Sequence, residues 1–524
     1  MATIVDDGQS SSEMGSWQHA RLIPTYGIRS QEEQEKRATS CLLAVMHGVP
    51  EFGHALLREL GAPKSPGITT FAEVRFKNAD GKTDIPDGVI VCERGGKRWT
   101  CLVEVKTGSA RLKDEQVGRY LDIAREKGFD GVLTISNQIT HSASESPVCV
   151  DGRKLRKASL WHLSWWRILT EAVVQSRYRG VSDQDQAWVL RELIHYLSSD
   201  ASGVAGFEDM GKEWVPVRAA AHDGTLRQGD ERAHQVAERW EQFTEYMCLS
   251  LAQELGHNVT SVRPRKQTTA ARIDELAKAL ATEGVLAATL RIPNAVGNLR
   301  IRTDLKSRQT SLSIDLDAPG EGRPKPRINW LLRQLGDAWA DLRVEVWYPH
   351  ARETVASTLE RARLEPESLF FPADVKREPR SFVLTLSRPM GQKRGRTEGS
   401  FVRETREQTV MFYRDLVQNL KAWQAPAPQI RSEPVPTDGE VPSPPDLLPL
   451  MSADRILAGT TSGEAPQGEP AEMAPADASP TDDFSDSADE PVSSESGNAT
   501  AADTATPMAG TPISVETPWT TSYP

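Results

Sequence analysis

Three side chains in one short stretch of the sequence are of the types that bind a divalent cation and act on a phosphodiester bond. Asp87 lies near the start of one apolar run, and Glu104 and Lys106 lie near the end of the next. Two carboxylates suit Mg²⁺, which takes one or two carboxylates and keeps several waters. A nearby ammonium group can orient an attacking water or neutralise charge that develops on a phosphate. This chemistry requires a fold that brings the three groups together.

A tight turn between the two apolar runs predicts that they meet. Residues 85–93 and 99–106 have the pattern of strands, and the Gly95-Gly96 pair between them is typical of a two-residue hairpin turn. With this turn, Asp87 lies directly opposite Glu104, and the lysine two residues further on shares their face. Directly opposed like charges destabilise a hairpin unless a cation lies between them. The pairing therefore predicts a metal site.

The predicted metal ligands are Asp87, Glu104 and, as a further oxygen donor, the carbonyl of Val105. Mg²⁺ is the expected cofactor and Mn²⁺ the alternative cation. Lys106 is expected to face the nucleophile. The competing interpretation is that the three charges form a structural salt bridge or a solvated hairpin face.

The elements around the hairpin follow the order αβββαβ. Capping signals, apolar periodicity and glycine stops predict them. In chain order they are helices over residues 30–47 and 51–60, strands over 69–77, 85–93 and 99–106, a helix over 114–127 and a strand over 131–136. This order predicts an α/β fold with a mixed central sheet flanked by helices.

Residues 51–136 resemble the PD-(D/E)xK nuclease superfamily, whose restriction endonuclease-like and RecB-like members share an αβββαβ core. The Pro-Asp and Glu-x-Lys motifs of that superfamily match Pro86-Asp87 and Glu104-Val105-Lys106. The resemblance implies a Mg²⁺-dependent nuclease that acts on nucleic acid, with DNA favoured, in restriction or defence. It covers under a fifth of the chain and leaves the substrate open.

The resemblance also suggests further site residues. Gln116, with Tyr120 one helical turn later, matches a Gln and a Tyr that help to organise the site or contact DNA in RecB-like members; an ordinary helix face is the alternative. Many members also use a carboxylate from the preceding helix, for which Glu51 and Glu59 are both candidates. Glu73 is excluded, because the parity of a predicted Asp-Gly turn directs it away from the catalytic aspartate.

Composition predicts that the C-terminal 101 residues form a separate tail. Residues 424–524 carry 17 acidic side chains against two arginines and hold 17 of the 34 prolines. The whole chain has a net charge of -11, so the tail at -15 leaves the remaining body mildly basic at about +4. A segment of this composition buries too little apolar surface to offset the conformational entropy that it would lose on ordering. The tail is therefore predicted to be disordered. The tail is expected either to bind a protein partner or to act as a solubilising extension.

The body is expected to contain two domains after a flexible N-terminus over residues 1–29. Residues 30–200 form the nuclease-like domain with a helical extension, 201–230 a linker, and 231–423 an α+β domain of unknown family. Residues 376–406 carry nine Lys or Arg against three acids, which favours phosphate contacts; a solvated basic loop is the alternative.

Other sequence signals limit the function classes. The N-terminus lacks a signal-peptide pattern and no apolar run could span a membrane, which predicts a cytoplasmic protein without membrane partners. Five scattered cysteines predict neither a zinc site nor a disulfide framework, and the oligomeric state is open. His141, in a polar loop after the last core strand, is a further candidate near the site. Two functions compete with the nuclease: an inactive nuclease fold that binds nucleic acid or scaffolds a partner, and a structural protein with a surface ion network.

Overall fold

Two β-sheets with their helices form the computed structural model, which describes residues 20–77, 81–395, 397–425 and 427. The strands are β1 (Gly67–Ala72), β2 (Phe76–Lys77), β3 (Thr83–Asp84), β4 (Gly88–Arg94), β5 (Lys97–Val105), β6 (Gly131–Ser136), β7 (Ser159–Ser164), β8 (Thr260–Ser261), β9 (Val285–Arg291), β10 (Leu299–Asp304), β11 (Gln309–Asp317), β12 (Arg343–Trp347), β13 (Val355–Thr358) and β14 (Ser381–Pro389). The helices are α1 (Gln31–Gly48), α2 (Pro50–Arg58), α3 (Asp114–Lys127), α4 (Trp165–Val174), α5 (Gln184–Leu197), α6 (Trp214–His222), α7 (Glu231–Leu255), α8 (Thr269–Thr282), α9 (Pro324–Gln334), α10 (Leu359–Leu364) and α11 (Phe401–Asp415).

The first sheet is mixed and has the strand order β1-β4-β5-β6-β7. Strand β4 pairs antiparallel with both β1 and β5, whereas β5, β6 and β7 run parallel. The short strands β2 and β3 form a separate antiparallel ribbon in the connection between β1 and β4. The predicted mixed sheet flanked by helices is therefore confirmed.

The β4–β5 hairpin has the register expected from its turn. Gly95 and Gly96 both have positive φ, 56° and 77°, as a tight two-residue hairpin turn requires. Arg94 pairs with Lys97, and the ladder continues to Gly88 opposite Val103. Extended by one position, this register places Asp87, just before β4, opposite Glu104, near the end of β5.

Helices cover both faces of the first sheet. Ile90 and Val103 belong to a core formed with α1, α2, α4 and α5, while Val91 and Leu102 pack with α3 on the other face. Since β4, β5 and β6 are buried on both sides, their sequences are almost continuously apolar, as in parallel or central strands.

The second sheet is antiparallel and has the order β13-β12-β14-β11-β10-β9-β8. Its strands alternate buried and partly exposed residues, which is typical of a sheet with one covered face. The alternation of apolar and polar residues predicts strands near 286–292, 298–304 and 311–317, and β9, β10 and β11 lie within two residues of these bounds. Two short strands, β8 and β13, were not predicted, because strands of two to four residues carry little periodicity.

The two sheets belong to one compact unit, Met1–Ile430, and helices α4 and α7 join them. Gln253 donates a hydrogen bond to Thr170 (2.8 Å), and the rings of Trp166 and Tyr246 lie 5.1 Å apart. The prediction of a linker over residues 201–230 is wrong. This segment contains helix α6, and its Trp214 is buried in the larger hydrophobic core. Apolar residues at helical spacing in this stretch outweigh its glycines and charges.

The chain termini are only partly described. Within the predicted flexible N-terminus, residues 1–19 lie outside the described residues, but Ile23 is buried and Arg21 pairs with Glu192 at 3.0 Å. Almost all of the predicted disordered tail, from residue 428 onward together with residue 426, also lies outside them. Among the described helices, none combines the length and apolarity needed to cross a bilayer.

Candidate active site

Asp87 and Glu104 meet at the edge of the first sheet where β4 begins and β5 ends. Asp87 directly precedes β4, because Pro86 has no N–H with which to extend the ladder. The backbone N–H of Val105 donates to Asp87 Oδ2 at 2.7 Å, which fixes one carboxylate oxygen. The two acids therefore lie side by side, as the predicted register requires.

Glu104 is a buried carboxylate without hydrogen bonds. Its residue surface is 1% exposed, and neither Oε1 nor Oε2 has a hydrogen-bond partner in the described part of the chain. Lys106 Nζ lies 2.7 Å from Oε1 as an ion pair, but outside hydrogen-bonding geometry. Burial, and then the charge of Asp87, raise the pKa of Glu104 to about 7. A buried ionised carboxylate of this kind is costly unless a cation binds it.

Lys106 lies within a group of oxygen atoms. Its Nζ donates to the Val105 carbonyl at 2.8 Å and to Glu35 Oε2 at 3.3 Å, besides the contact with Glu104. Burial lowers the pKa of Lys106, but the carboxylate of Glu104 and its acidic neighbours outweigh this effect, so the pKa is raised. Burial also raises the pKa of Asp87. The lysine is therefore charged, and the predicted ligand carbonyl of Val105 already accepts a hydrogen bond from it.

The backbone on either side of the Lys106 side chain is fixed by three elements. The N–H of Lys106 donates to the Ile135 carbonyl on β6 at 2.8 Å. Its carbonyl accepts the indole N–H of the fully buried Trp165 at 2.9 Å. On α1, Gln31 Nε2 donates to the next carbonyl, that of Thr107, at 2.9 Å. These contacts fix the main chain from which the lysine side chain extends into the site.

Gln116 and Tyr120 lie beside the site, as predicted, on α3. Gln116 Nε2 donates to the Tyr120 hydroxyl at 3.1 Å, and this hydroxyl donates to the Ile85 carbonyl, also at 3.1 Å. Burial, together with the charges of Glu104 and Asp87, raises the pKa of Tyr120. The two side chains thus anchor the segment that leads into the aspartate.

The carboxylate that the N-terminal helices contribute is Glu35, which was not predicted. Glu51 instead accepts a hydrogen bond from the backbone of Ser182 (3.2 Å), and Glu59 pairs with Arg167 at 2.6 Å, so both earlier candidates contact other parts of the fold. The sequence carried a signal for Glu35. It lies on the side of α1 that becomes buried, one turn before Ala38 and Thr39.

The exclusion of Glu73 is also wrong. The observed β1–β4 register pairs Ala72 with Gly88, and the Glu73 N–H donates to the Asp87 carbonyl at 3.1 Å, so these two acids are opposite each other. Glu73 has a φ of 50°, which is rare for a residue with a side chain. A cleft of about 190 Å³ beside Asp87 is lined by Lys36, Thr39, Ser40, Ala72, Glu73 and Asp87.

Two other predicted contributors lie away from these acids. His141 Nδ1 is 2.6 Å from Glu245 Oε1 on α7, between the two sheets. In the basic segment 376–406, Arg394 pairs with Asp209 at 2.8 Å and Arg388 with Asp341 at 2.6 Å, while Arg396 lies outside the described residues. These pairings use part of the charge that was expected to contact phosphates.

The donor set fits a divalent cation that keeps most of its waters. Among the described residues, no group of three or more His, Cys, Asp or Glu side chains is arranged to hold a metal ion. Glu104, however, has two buried oxygens without hydrogen bonds, and Asp87 has one oxygen beyond the one that Val105 fixes. One or two carboxylates plus water and phosphate oxygens are the ligands that Mg²⁺ usually takes.

Comparisons with known proteins do not assign the chain to a family. No protein-family model matches it, and a search of curated proteins finds no significant match. The geometry of the site is therefore what bears on its function.

Proposed function

We propose that this protein is a metal-dependent nuclease that hydrolyses phosphodiester bonds, with DNA as the favoured substrate and restriction or defence as its role. The observation that supports this most strongly is the buried carboxylate of Glu104, which has no hydrogen bond and lies between Asp87 and the ammonium group of Lys106. A structural protein gains no stability from an acid in this position, because burial disfavours its charged form. A metal site explains it.

Asp87 and Glu104 would hold the cation, and each protein group nearby has a separate task. When bound, the divalent cation polarises a phosphoryl oxygen and lowers the pKa of a water ligand. Lys106 supplies a fixed positive charge next to the attacking water or the developing phosphate charge, where preorganised charge has its largest effect. Tyr120 and Gln116 hold the Ile85 carbonyl and thereby the approach of the chain to Asp87.

A cleavage assay tests the proposal directly. Purified protein is incubated with plasmid, linear duplex, single-stranded DNA and matching RNA in Mg²⁺, Mn²⁺ or EDTA. We expect cleavage in either metal and none in EDTA, and we expect Asp87→Asn to lose cleavage and metal binding while its melting temperature stays near that of the wild type. Asp122→Asn, an exposed change on α3, is the matched control. Calorimetric metal binding that is equal in wild type and Asp87→Asn, together with no cleavage, would reject the site.

Glu35→Gln tests whether the unpredicted carboxylate belongs to the site. Its Oε2 accepts a hydrogen bond from Lys106 Nζ at 3.3 Å, so the substitution removes charge from the group that positions the lysine. Partners that orient the groups around a metal usually contribute about 10- to 100-fold to metal affinity or activity. We expect a loss in this range in a Mn²⁺ titration of cleavage rate. Glu126→Gln, which changes an exposed acid near the end of α3, is expected to cleave normally.

A further inference from the structure

Phe71 lies on the edge strand β1, on the same face as the candidate catalytic aspartate. It pairs with Val89 across the β1–β4 ladder, and Asp87 precedes Val89 by two residues, so the three side chains share one face. Such diagonal cross-strand neighbours are about 7–8 Å apart. The hydrogen bond from Glu73 N–H to the Asp87 carbonyl extends this pairing as far as the aspartate.

The ring of Phe71 is left in solvent. Its residue surface is 49% exposed, and Ile85, two residues before Asp87 in the chain, is 42% exposed. The other β1 residues on this face, Gly67 and Thr69, are exposed as well. A polar side chain would be well solvated at such a position, whereas an exposed phenyl ring does not gain the stabilisation that its burial would give. An exposed aromatic side chain on a fixed strand next to the site therefore suggests a ligand with a flat apolar surface.

The position of the ring distinguishes between forms of nucleic acid. Inside a duplex both faces of a base are covered by its neighbours, so a protein ring can stack only on a base that is unpaired or splayed out. Stacking of bases on aromatic side chains is the usual way in which proteins hold single strands, and it tolerates any base.

We propose, on the basis of the proposed nuclease function, that Phe71 stacks on the base next to the scissile phosphate. The preferred substrate is then a nucleic acid whose nucleotides are unpaired at the cut, as in a single strand or an overhang.

Steady-state cleavage by Phe71 variants tests this inference. The substrates are a single-stranded oligonucleotide and the blunt duplex that contains it. We expect Phe71→Ala to raise KM for the single strand by about 5- to 150-fold, the factor that corresponds to one lost stacking contact, with little change in kcat. Phe71→Trp is expected to retain the wild-type KM. Phe71→Thr, which keeps strand propensity without a ring, is expected to behave like the alanine variant.

Two controls separate this inference from the function on which it rests. Trp347→Ala removes an aromatic side chain of similar exposure, 45%, on the second sheet and is expected to leave cleavage unchanged. A single strand with 2-aminopurine next to the cut site should lose fluorescence on binding to Lys106→Ala but not to the double variant with Phe71→Ala. If the wild type cleaves but the Phe71 variants keep its KM, the stacking inference is rejected alone. If the wild type cleaves nothing and binds metal no better than Asp87→Asn, both proposals are rejected.

Discussion

Lys106→Ala is expected to lower metal-dependent cleavage by at least about 10²- to 10³-fold, the usual effect of removing one preorganised group that stabilises charge in a transition state. Lys106 Nζ is 2.7 Å from Glu104 Oε1, and it donates hydrogen bonds to the Val105 carbonyl at 2.8 Å and to Glu35 Oε2 at 3.3 Å. Lys106→Arg is not expected to restore the rate, because a planar guanidinium cannot occupy the position of a compact ammonium group.

The protein should remain folded in this variant. Without the lysine, burial and Asp87 raise the pKa of Glu104 further, so the acid takes up a proton at neutral pH rather than remaining as an unpaired buried charge. Melting temperature and cleavage rate are measured together with Lys127→Ala, which removes an exposed lysine paired with Glu126 at the far end of α3. Cleavage by Lys106→Ala at the wild-type rate would show that the lysine is only a structural partner.

The pairing of the two acids could be predicted because it depends on local signals. Gly95 and Gly96 set a two-residue turn, and the alternation of the strands carries the register outward to Asp87 and Glu104. Nothing distant in the chain can shift this hairpin without moving its apolar residues to the wrong face.

The register of the preceding strand could not be predicted in the same way. The chain between β1 and β4 does not form a single hairpin but kinks at Glu73 and forms the ribbon of β2 and β3. In this ribbon Phe76 pairs with Asp84 and Lys77 with Thr83. An odd number of residues therefore separates the last paired residues, whereas the predicted Asp-Gly turn has two. A shift of one residue moves a side chain to the opposite face, and Glu73 was therefore excluded in error.

The contribution of Glu35 depends on tertiary packing. Helix α1 crosses the sheet edge so that Glu35, rather than an acid of α2, reaches Lys106. Capping signals predict where a helix begins, but the angle at which it packs depends on the whole core. An acid one turn before the apolar stripe, on the same side of the helix, is the pattern that would have indicated it.

Glu104→Gln is expected to make the protein more stable in EDTA at pH 8, by as much as about 3 kcal/mol, while it abolishes cleavage. The pKa of Glu104 is raised from 4.5 to about 7, so the folded state binds a proton more tightly than the unfolded state. A shift of this size corresponds to about 3 kcal/mol. The stability that the folded state gains from protonation of Glu104 is fully present below pH 4.5, and it is lost as the pH rises to about 7. Glutamine has no charge to bury, so this loss should be absent from the variant.

A divalent cation should reverse this difference in stability, so that the wild type becomes more stable than Glu104→Gln. A ligand that binds only the folded state raises stability with its concentration, and the ionised Glu104 is the form that binds metal. We therefore expect Mg²⁺ or Mn²⁺ to raise the melting temperature of the wild type at pH 8 but not that of Glu104→Gln. Glu115→Gln, on the exposed side of α3, should respond to pH and metal like the wild type. Two results together would mean that Glu104 is not a metal ligand. The wild type would be equally stable with and without metal, and its stability would depend on pH in the same way as that of Glu104→Gln.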